Sequence, residues 1–410
     1  MSSQKQKGDN EMPNFSNRVT TMTKSANYLR ALFNNMTNPD IISFGGGSPA
    51  KEALPVDIIE ELAQEVLNNG SRGTEALQYS STMGLKDLRM AVASELLAPK
   101  GVNVTPENIL IVNGGLETMN LVCQVYINPG DVILVENPTF IHCVEIFDMF
   151  QANCVLCECD DIGLVMDDVE EKIKKYHPKM VYTVPTFNNP TGKTLSLDRR
   201  QRLAELGSKY DVIILEDDPY RDIRYSGKEL APIKSFDKTG HTIMANSFSK
   251  IFAPGTRLGY AVASKEIIEK LMDAKIATNS HTSTIGQVLC AEFFKRGYYP
   301  EHHKRICDIY RERRDVMLEC IDKYFPQGTK YTKPDGGFFT WVEMPVGLNS
   351  TELLPEAEKL NIAYLAGEDW FLEGNGKGNN TIRLGFSSQS PVKIRDGMKR
   401  LGKLFCDKLK

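Results

Sequence analysis

The chain has 410 residues, a length that suits two unequal domains better than one small core. With 41% hydrophobic and 25% charged residues it has an ordinary globular composition, and a formal charge of −4 gives no electrostatic case for nucleic acid as the main partner. No signal peptide and no apolar run near ~20 residues is visible, so a cytoplasmic chain without a membrane span is expected.

In chain order, residues 1–12 are polar, and the tail over 1–15 is expected to be disordered. The spacing of Met22, Tyr28, Leu29, Leu32 and Phe33 predicts an amphipathic helix over 16–36. Ile41-Ile42-Ser43-Phe44 then runs into Gly45-Gly46-Gly47-Ser48-Pro49, a turn with almost no side-chain bulk. From about residue 55, seven short β-branched runs follow: Asn108–Val112, Val132–Glu136, Cys154–Cys159, Met180–Pro185, Val212–Glu216, Thr242–Asn246 and Leu258–Ala263. Helical patterns over 57–68, 84–96, 116–126, 167–176 and 197–209 separate many of them. Apolar strands alternating with helices predict an α/β fold with a mostly parallel sheet covered on both faces. A long helical reach over 264–325 leads to a different texture: strand, turn, strand over 329–343 around Gly336-Gly337, a helix over 352–360, a strand over 380–386 and a helix over 391–408. The expected division is a large domain over 55–300 and a smaller α+β domain over 301–410, with the segment 16–54 packing beside the latter.

Most of the nine cysteines sit in apolar runs such as Leu121-Val122-Cys123. Cys157 and Cys159 would share a strand face with Cys154 nearby, but no second ligand pair accompanies them, so core packing is expected and no metal. His302-His303 lies in a polar stretch and reads as solvated.

Ligands in open α/β sheets gather at the carboxyl ends of the strands. After Val112 come Gly114-Gly115-Leu116 at the start of a helix, where bare amides suit an anion. A simple glycine turn would look the same. After Glu136 comes Phe140, either core or a plate for a planar ring. After Val184 come Asn188-Asn189-Pro190-Thr191-Gly192, a turn whose amides can reach a ligand oxygen. Glu216-Asp217-Asp218 places three carboxylates directly after a buried strand, which is costly unless something cationic meets them; Tyr220 follows. A protonated pyridine nitrogen is such a partner, whereas Mg²⁺ is disfavoured because no P-loop lysine motif accompanies the cluster.

The block Ser247-Phe248-Ser249-Lys250-Ile251-Phe252-Ala253-Pro254-Gly255-Thr256-Arg257 is the most informative stretch. Its lysine can form a Schiff base with a carbonyl while the hydroxyls and Arg257 hold a phosphate, the two demands of pyridoxal 5′-phosphate. A surface loop with a solvated lysine and arginine is the plain alternative. In Ile382-Arg383-Leu384-Gly385-Phe386 one arginine is embedded in an apolar strand, where its guanidinium requires an anion, a substrate carboxylate or a protein one.

These motifs resemble those of the fold-type I, class I/II aminotransferases that depend on pyridoxal phosphate, and within them the aminoadipate/kynurenine aminotransferase branch. The resemblance runs from about residue 16 to the C-terminus and is most specific in Ser-Phe-Ser-Lys…Pro-Gly-Thr-Arg, Asn-Pro-Thr-Gly, Asp-Asp-Pro-Tyr and Ile-Arg-Leu-Gly-Phe. It implies that Lys250 is the Schiff-base lysine and proton shuttle, and that Asp217 pairs with the pyridine nitrogen. It gives Asn189 and Tyr220 to the phenolic oxygen, and Phe140 to the ring face. Ser247, Ser249, Arg257 and the Gly115 and Leu116 amides would hold the phosphate. Arg383 would clamp the substrate α-carboxylate beside Gly47 and Asn189. Tyr79 would reach the phosphate of a second subunit in a homodimer. Gly115-Leu116 stands where relatives often carry hydroxyls, so the phosphate would rest more on amides. The implied reaction is ping-pong transfer of an amino group from an L-amino acid to a 2-oxo acid, with 2-oxoglutarate as the expected acceptor. A β-eliminating lyase on the same scaffold and a non-catalytic sensor of pyridoxal phosphate are the alternatives.

Overall fold

The computed structural model describes residues 14–16, 18–19, 38 and 40–409. Most of the expected helix over 16–36 and most of the expected disordered tail therefore lie outside the described residues. Seven strands form one sheet: β2 (Ile109–Val112), β3 (Val132–Glu136), β4 (Asn153–Cys157), β7 (Met180–Thr183), β8 (Ile213–Asp217), β9 (Thr242–Ser247) and β10 (Gly259–Val262). Their order is β2-β10-β9-β8-β7-β3-β4, parallel except for β10, which runs antiparallel to both neighbours. A short hairpin, β5 (Cys159–Asp160) and β6 (Gly163–Leu164), follows β4, so the third predicted run ends at Cys157 and Cys159 begins the next strand.

The apolar runs are uninterrupted because both faces of the sheet are covered, and the strand period assigns alternate residues to opposite faces. Leu110, Val112, Ile133, Val135, Ile213 and Leu215 join a core closed by helices Gly115–Tyr126, Ile141–Met149 and Lys265–Thr278. Leu134, Val181 and Ile214 face the other way, against helices Met166–Tyr176 and Leu197–Tyr210. Ile109, Ile111, Met244 and Tyr260 enter a third cluster with the helices Val56–Asn68, Thr284–Lys295 and Tyr299–Tyr324. The helix predicted over 84–96 is regular only over Lys86–Ala91 and continues as a wider π turn over Val92–Leu97.

The antiparallel β10 is admitted by one glycine. A Cβ at Gly259 would stand 2.8 Å from both Asn246 O and Gly114 C, so the strand can start between the ends of β2 and β9 only without a side chain there.

A second sheet of four antiparallel strands has the order β11-β12-β15-β14, with β11 (Lys330–Tyr331), β12 (Phe339–Glu343), β14 (Leu365–Ala366) and β15 (Thr381–Gly385). Upstream, β1 (Ile42–Ser43) pairs in parallel with β13 (Ile362–Ala363), and Gly385 N donates to Phe44 O at 2.7 Å. The Gly336-Gly337 turn presses on the large sheet's loops, since a Cβ at Gly336 would lie 2.2 Å from Ile223 O. His302 corrects the sequence reading: in helix Tyr299–Tyr324 it turns inward, only 3% exposed and edge-on to Phe293. Burial, with Arg305 and His303 nearby, lowers its pKa to about 4. His303 is half-buried and its Nε2 meets Asp222 O.

Candidate active site

Strand order brings distant sequence together. β2, β9 and β8 end side by side around the start of β10, so Gly114-Gly115, Ser247 and Asp217 converge at one edge. There a cavity of about 140 Å³ is lined by Gly115, Leu116, Phe140, Asn189, Asp217, Tyr220, Ser247, Ser249, Lys250 and Arg257, joined by Val184 and Pro219.

At one end is an anion cradle. Gly114 has φ 78° and ψ 167°, conformations only glycine adopts comfortably, and opens the helix Gly115–Tyr126 toward the cavity. A Cβ on Gly114 would lie 2.5 Å from Arg257 Nη2, so the guanidinium sits directly over that bare turn. Ser247 Oγ donates to Ser249 Oγ at 2.9 Å and accepts from Ser249 N at 3.2 Å. Two hydroxyls, a guanidinium and a helix N-terminus make a site for a phosphate.

At the other end the three consecutive carboxylates separate. Glu216 accepts from Ile233 N and Lys234 N, each at 2.8 Å, and Asp218 pairs with Arg221 at 3.1 Å. Alternation along β8 sends Asp217 the other way, into the cavity, where Tyr182 Oη donates to its Oδ2 at 2.9 Å. Burial raises the Asp217 pKa to about 7, against the pull of the Tyr182 hydrogen bond. A cation placed before it would restore the carboxylate.

Lys250 lines the same cavity. Its Nζ donates to Gly47 O at 2.9 Å and lies 5.3 Å from the Phe338 ring centre and 5.7 Å from that of Tyr220. Burial, then the charges of Arg257 and Arg383, lower its pKa to about 8. The neutral amine is thus reached at a lower pH than for an ordinary lysine. Tyr220 lies near the Asn189 side chain and is wedged edge-on against Phe338 and Phe339.

Arg383, on β15, borders the cavity through Asn189: its Nη1 donates to Asn189 Oδ1 at 2.6 Å and its Nη2 to Gly45 O. Its guanidinium lies 4.0 Å from the Phe339 ring centre and 4.7 Å from that of Trp370. Gly47 is forced to be glycine, because a Cβ would stand 2.5 Å from Phe339 Cζ. Tyr79 does not line its own chain's cavity; it is 86% exposed, with its ring edge-on to His281.

Sequence reasoning missed Phe338, Phe339, Tyr182 and Trp370, because a buried aromatic in a strand or turn looks like core. The Gly336-Gly337 turn was a signal for the first two. His142 was missed too: its ring is 5.1 Å from that of Phe140, and burial with the Arg383 charge lowers its pKa to about 4.

Residues 39–364 match the family described as aminotransferase class I and II. The chain is 38% identical over 390 residues to aromatic-amino-acid aminotransferase 1 of Thermococcus litoralis, covering 94% of this chain and 93% of that one. A kynurenine aminotransferase of Pyrococcus horikoshii, solved in complex with PMP, matches with TM-score 0.90 and 37% identity over 97% of this chain and 98% of its own. An alpha-aminoadipate aminotransferase of Thermus thermophilus, complexed with N-(5′-phosphopyridoxyl)-L-leucine, matches with TM-score 0.88 and 32% identity over 96% and 98%. The chain belongs to the class I and II aminotransferases and has their fold-type I architecture. It is an enzyme that uses pyridoxal phosphate to move an amino group from an amino acid to a 2-oxo acid. The residues present fit that cofactor, for one cavity holds a phosphate cradle, a buried carboxylate and a half-buried lysine.

Proposed function

We propose that each site residue serves the transfer as follows. Pyridoxal phosphate, when bound, supplies an electron-accepting ring for the pair left by a broken bond at the amino acid's Cα. Lys250 Nζ would be the amine that holds the cofactor through its carbonyl group and, once free, the base that moves the substrate's Cα proton. Its pKa of about 8 suits both tasks, and Gly47 O orients it. Asp217 keeps a proton on the ring nitrogen. Tyr220 and Asn189 donate to the phenolic oxygen, and Phe140 covers the ring. Ser247, Ser249, Arg257 and the Gly115 and Leu116 amides hold the phosphate. Arg383 receives the α-carboxylate, with Asn189 and Gly47 at its side.

The observation that carries this reading is that Lys250, Asp217 and the phosphate cradle share one cavity, bordered by Arg383 through Asn189. 2-Oxoglutarate is the proposed acceptor. A panel of amino-acid donors against 2-oxoglutarate, pyruvate and 2-oxoadipate, followed by the cofactor spectrum, tests it. Ammonia and pyruvate released without any acceptor would overturn the reading in favour of elimination.

The active unit is proposed to be a homodimer in which each subunit lends Tyr79 to the other's phosphate cradle. Its exposure beside Leu77, itself 73% exposed, supports this. Mixed dimers that pair Tyr79→Phe with Lys250→Ala test it: one intact site of two should return if Tyr79 acts in trans, and none if it acts in cis. The division into segments 16–54, 55–300 and 301–410 is proposed on the pairing of β1 with β13 and the contact of Gly385 with Phe44. Work in the cytoplasm is supported by nine free thiols and, among the described residues, no helix long and apolar enough to cross a membrane.

A further inference from the structure

Tyr182 lies in the middle of β7, wholly buried, where a phenylalanine would fill the same space and need no hydrogen bond. Its hydroxyl instead donates to Asp217 Oδ2 at 2.9 Å, across the boundary between β7 and β8. Its ring is held edge-on by Phe147 at 5.4 Å, so the hydroxyl cannot swing away without disturbing the core. Cys143, also fully buried, lies close to the phenol. We propose that Tyr182, with Cys143 behind it, is the positioning residue that keeps Asp217 ionised and aimed at the cofactor's ring nitrogen. The inference rests on the assignment of Asp217 to that nitrogen.

Asp217 is buried beside Asp218, and both facts favour its protonated form. A protonated carboxyl cannot hold a positive ring. The other titratable groups around Asp217 do not help: Glu136 on β3 repels it, Tyr220 and Cys143 carry no positive charge, and Lys250 in the same cavity donates to Gly47 O. Tyr182 alone among these facing groups donates to it. Burial keeps the phenol itself neutral, with its pKa well above the usual range, so its proton stays available for donation. That bond engages Oδ2, and Asp217 lines the cavity. Glu216 and Asp218 are met by amides and by Arg221, so the neutral donor falls on the one carboxylate that must later pair with a cation.

The test is Tyr182→Phe, which keeps the ring and its contact with Phe147. Holoenzymes carrying ¹⁵N-labelled pyridoxal phosphate are titrated by NMR, where the ring-nitrogen shift reports its proton. The variant should lose that proton at a pH roughly one unit below the unaltered enzyme, with kcat down about tenfold and the KM for the amino acid unchanged. Reconstitution with N-methylated cofactor, whose ring is permanently cationic, should give both proteins the same kcat. An unchanged ¹⁵N titration, or a kcat defect that persists with the methylated cofactor, overturns the role of Tyr182. If Asp217→Asn leaves the ¹⁵N titration unmoved, the failure lies in the assignment of Asp217 instead.

Discussion

Replacing Arg383 by lysine preserves the charge and removes the fork. In the structure the guanidinium is set by Asn189 Oδ1, by Gly45 O and by the faces of Phe339 and Trp370, which fix the plane it presents. A planar fork offers a carboxylate two parallel charge-assisted hydrogen bonds, whereas an ammonium offers a point charge. Losing one such bond costs about 1.5–3 kcal/mol, which is roughly ten- to hundredfold in kcat/KM. The loss of aromatic stacking, about 0.5–1 kcal/mol, destabilises the site whatever the substrate. The discriminating assay compares amino acids with the corresponding amines that lack the α-carboxylate. Arg383→Lys is expected to lower kcat/KM for the acids by that factor and to leave the amines within about twofold. Equal losses for both would show that Arg383 only braces Asn189 and the Gly45 turn, and the carboxylate assignment would be abandoned.

Lys250→Ala should abolish both the substrate-driven change in the cofactor spectrum and the borohydride-trapped adduct at position 250, read by peptide mass. An adduct on another lysine with normal turnover would contradict the assignment. Gly114→Ala forces a side chain into a glycine-only conformation and against Arg257, at about 1–3 kcal/mol, so the dissociation constant for pyridoxal phosphate should rise about tenfold or more in equilibrium dialysis. Unchanged affinity would mean the phosphate binds elsewhere. The Lys250 amine, lowered to about 8, is mostly protonated below that pH and neutral above it. The apoprotein's rate of covalent capture of pyridoxal phosphate should therefore climb through about pH 8 and then level off. An inflection at the ordinary lysine value, about 10.4, would refute the influence of burial and the two arginines.

The large sheet was legible as a sequence because buried parallel strands are continuous apolar runs, and chemistry follows where each run stops. Gly115, Asn189, Asp217, Ser247 and Lys250 all stand at or just after such a stop. The four residues of β13 and β14 were not legible, since two-residue strands carry no period.

What the linear order could not convey is adjacency across hundreds of positions. Lys250 touches Gly47, and Arg383 touches Gly45 and Asn189, because the N-terminal segment packs with the second sheet at the mouth of the cavity. In the sequence only the resemblance singled out Asp217 from its two neighbours; in three dimensions the three carboxylates differ in which side of β8 each projects from and what meets it there. Chemical capacity is local, written in residue types at strand ends. Its direction comes from strand alternation and the order of pairing, which are set by burial of the whole sheet.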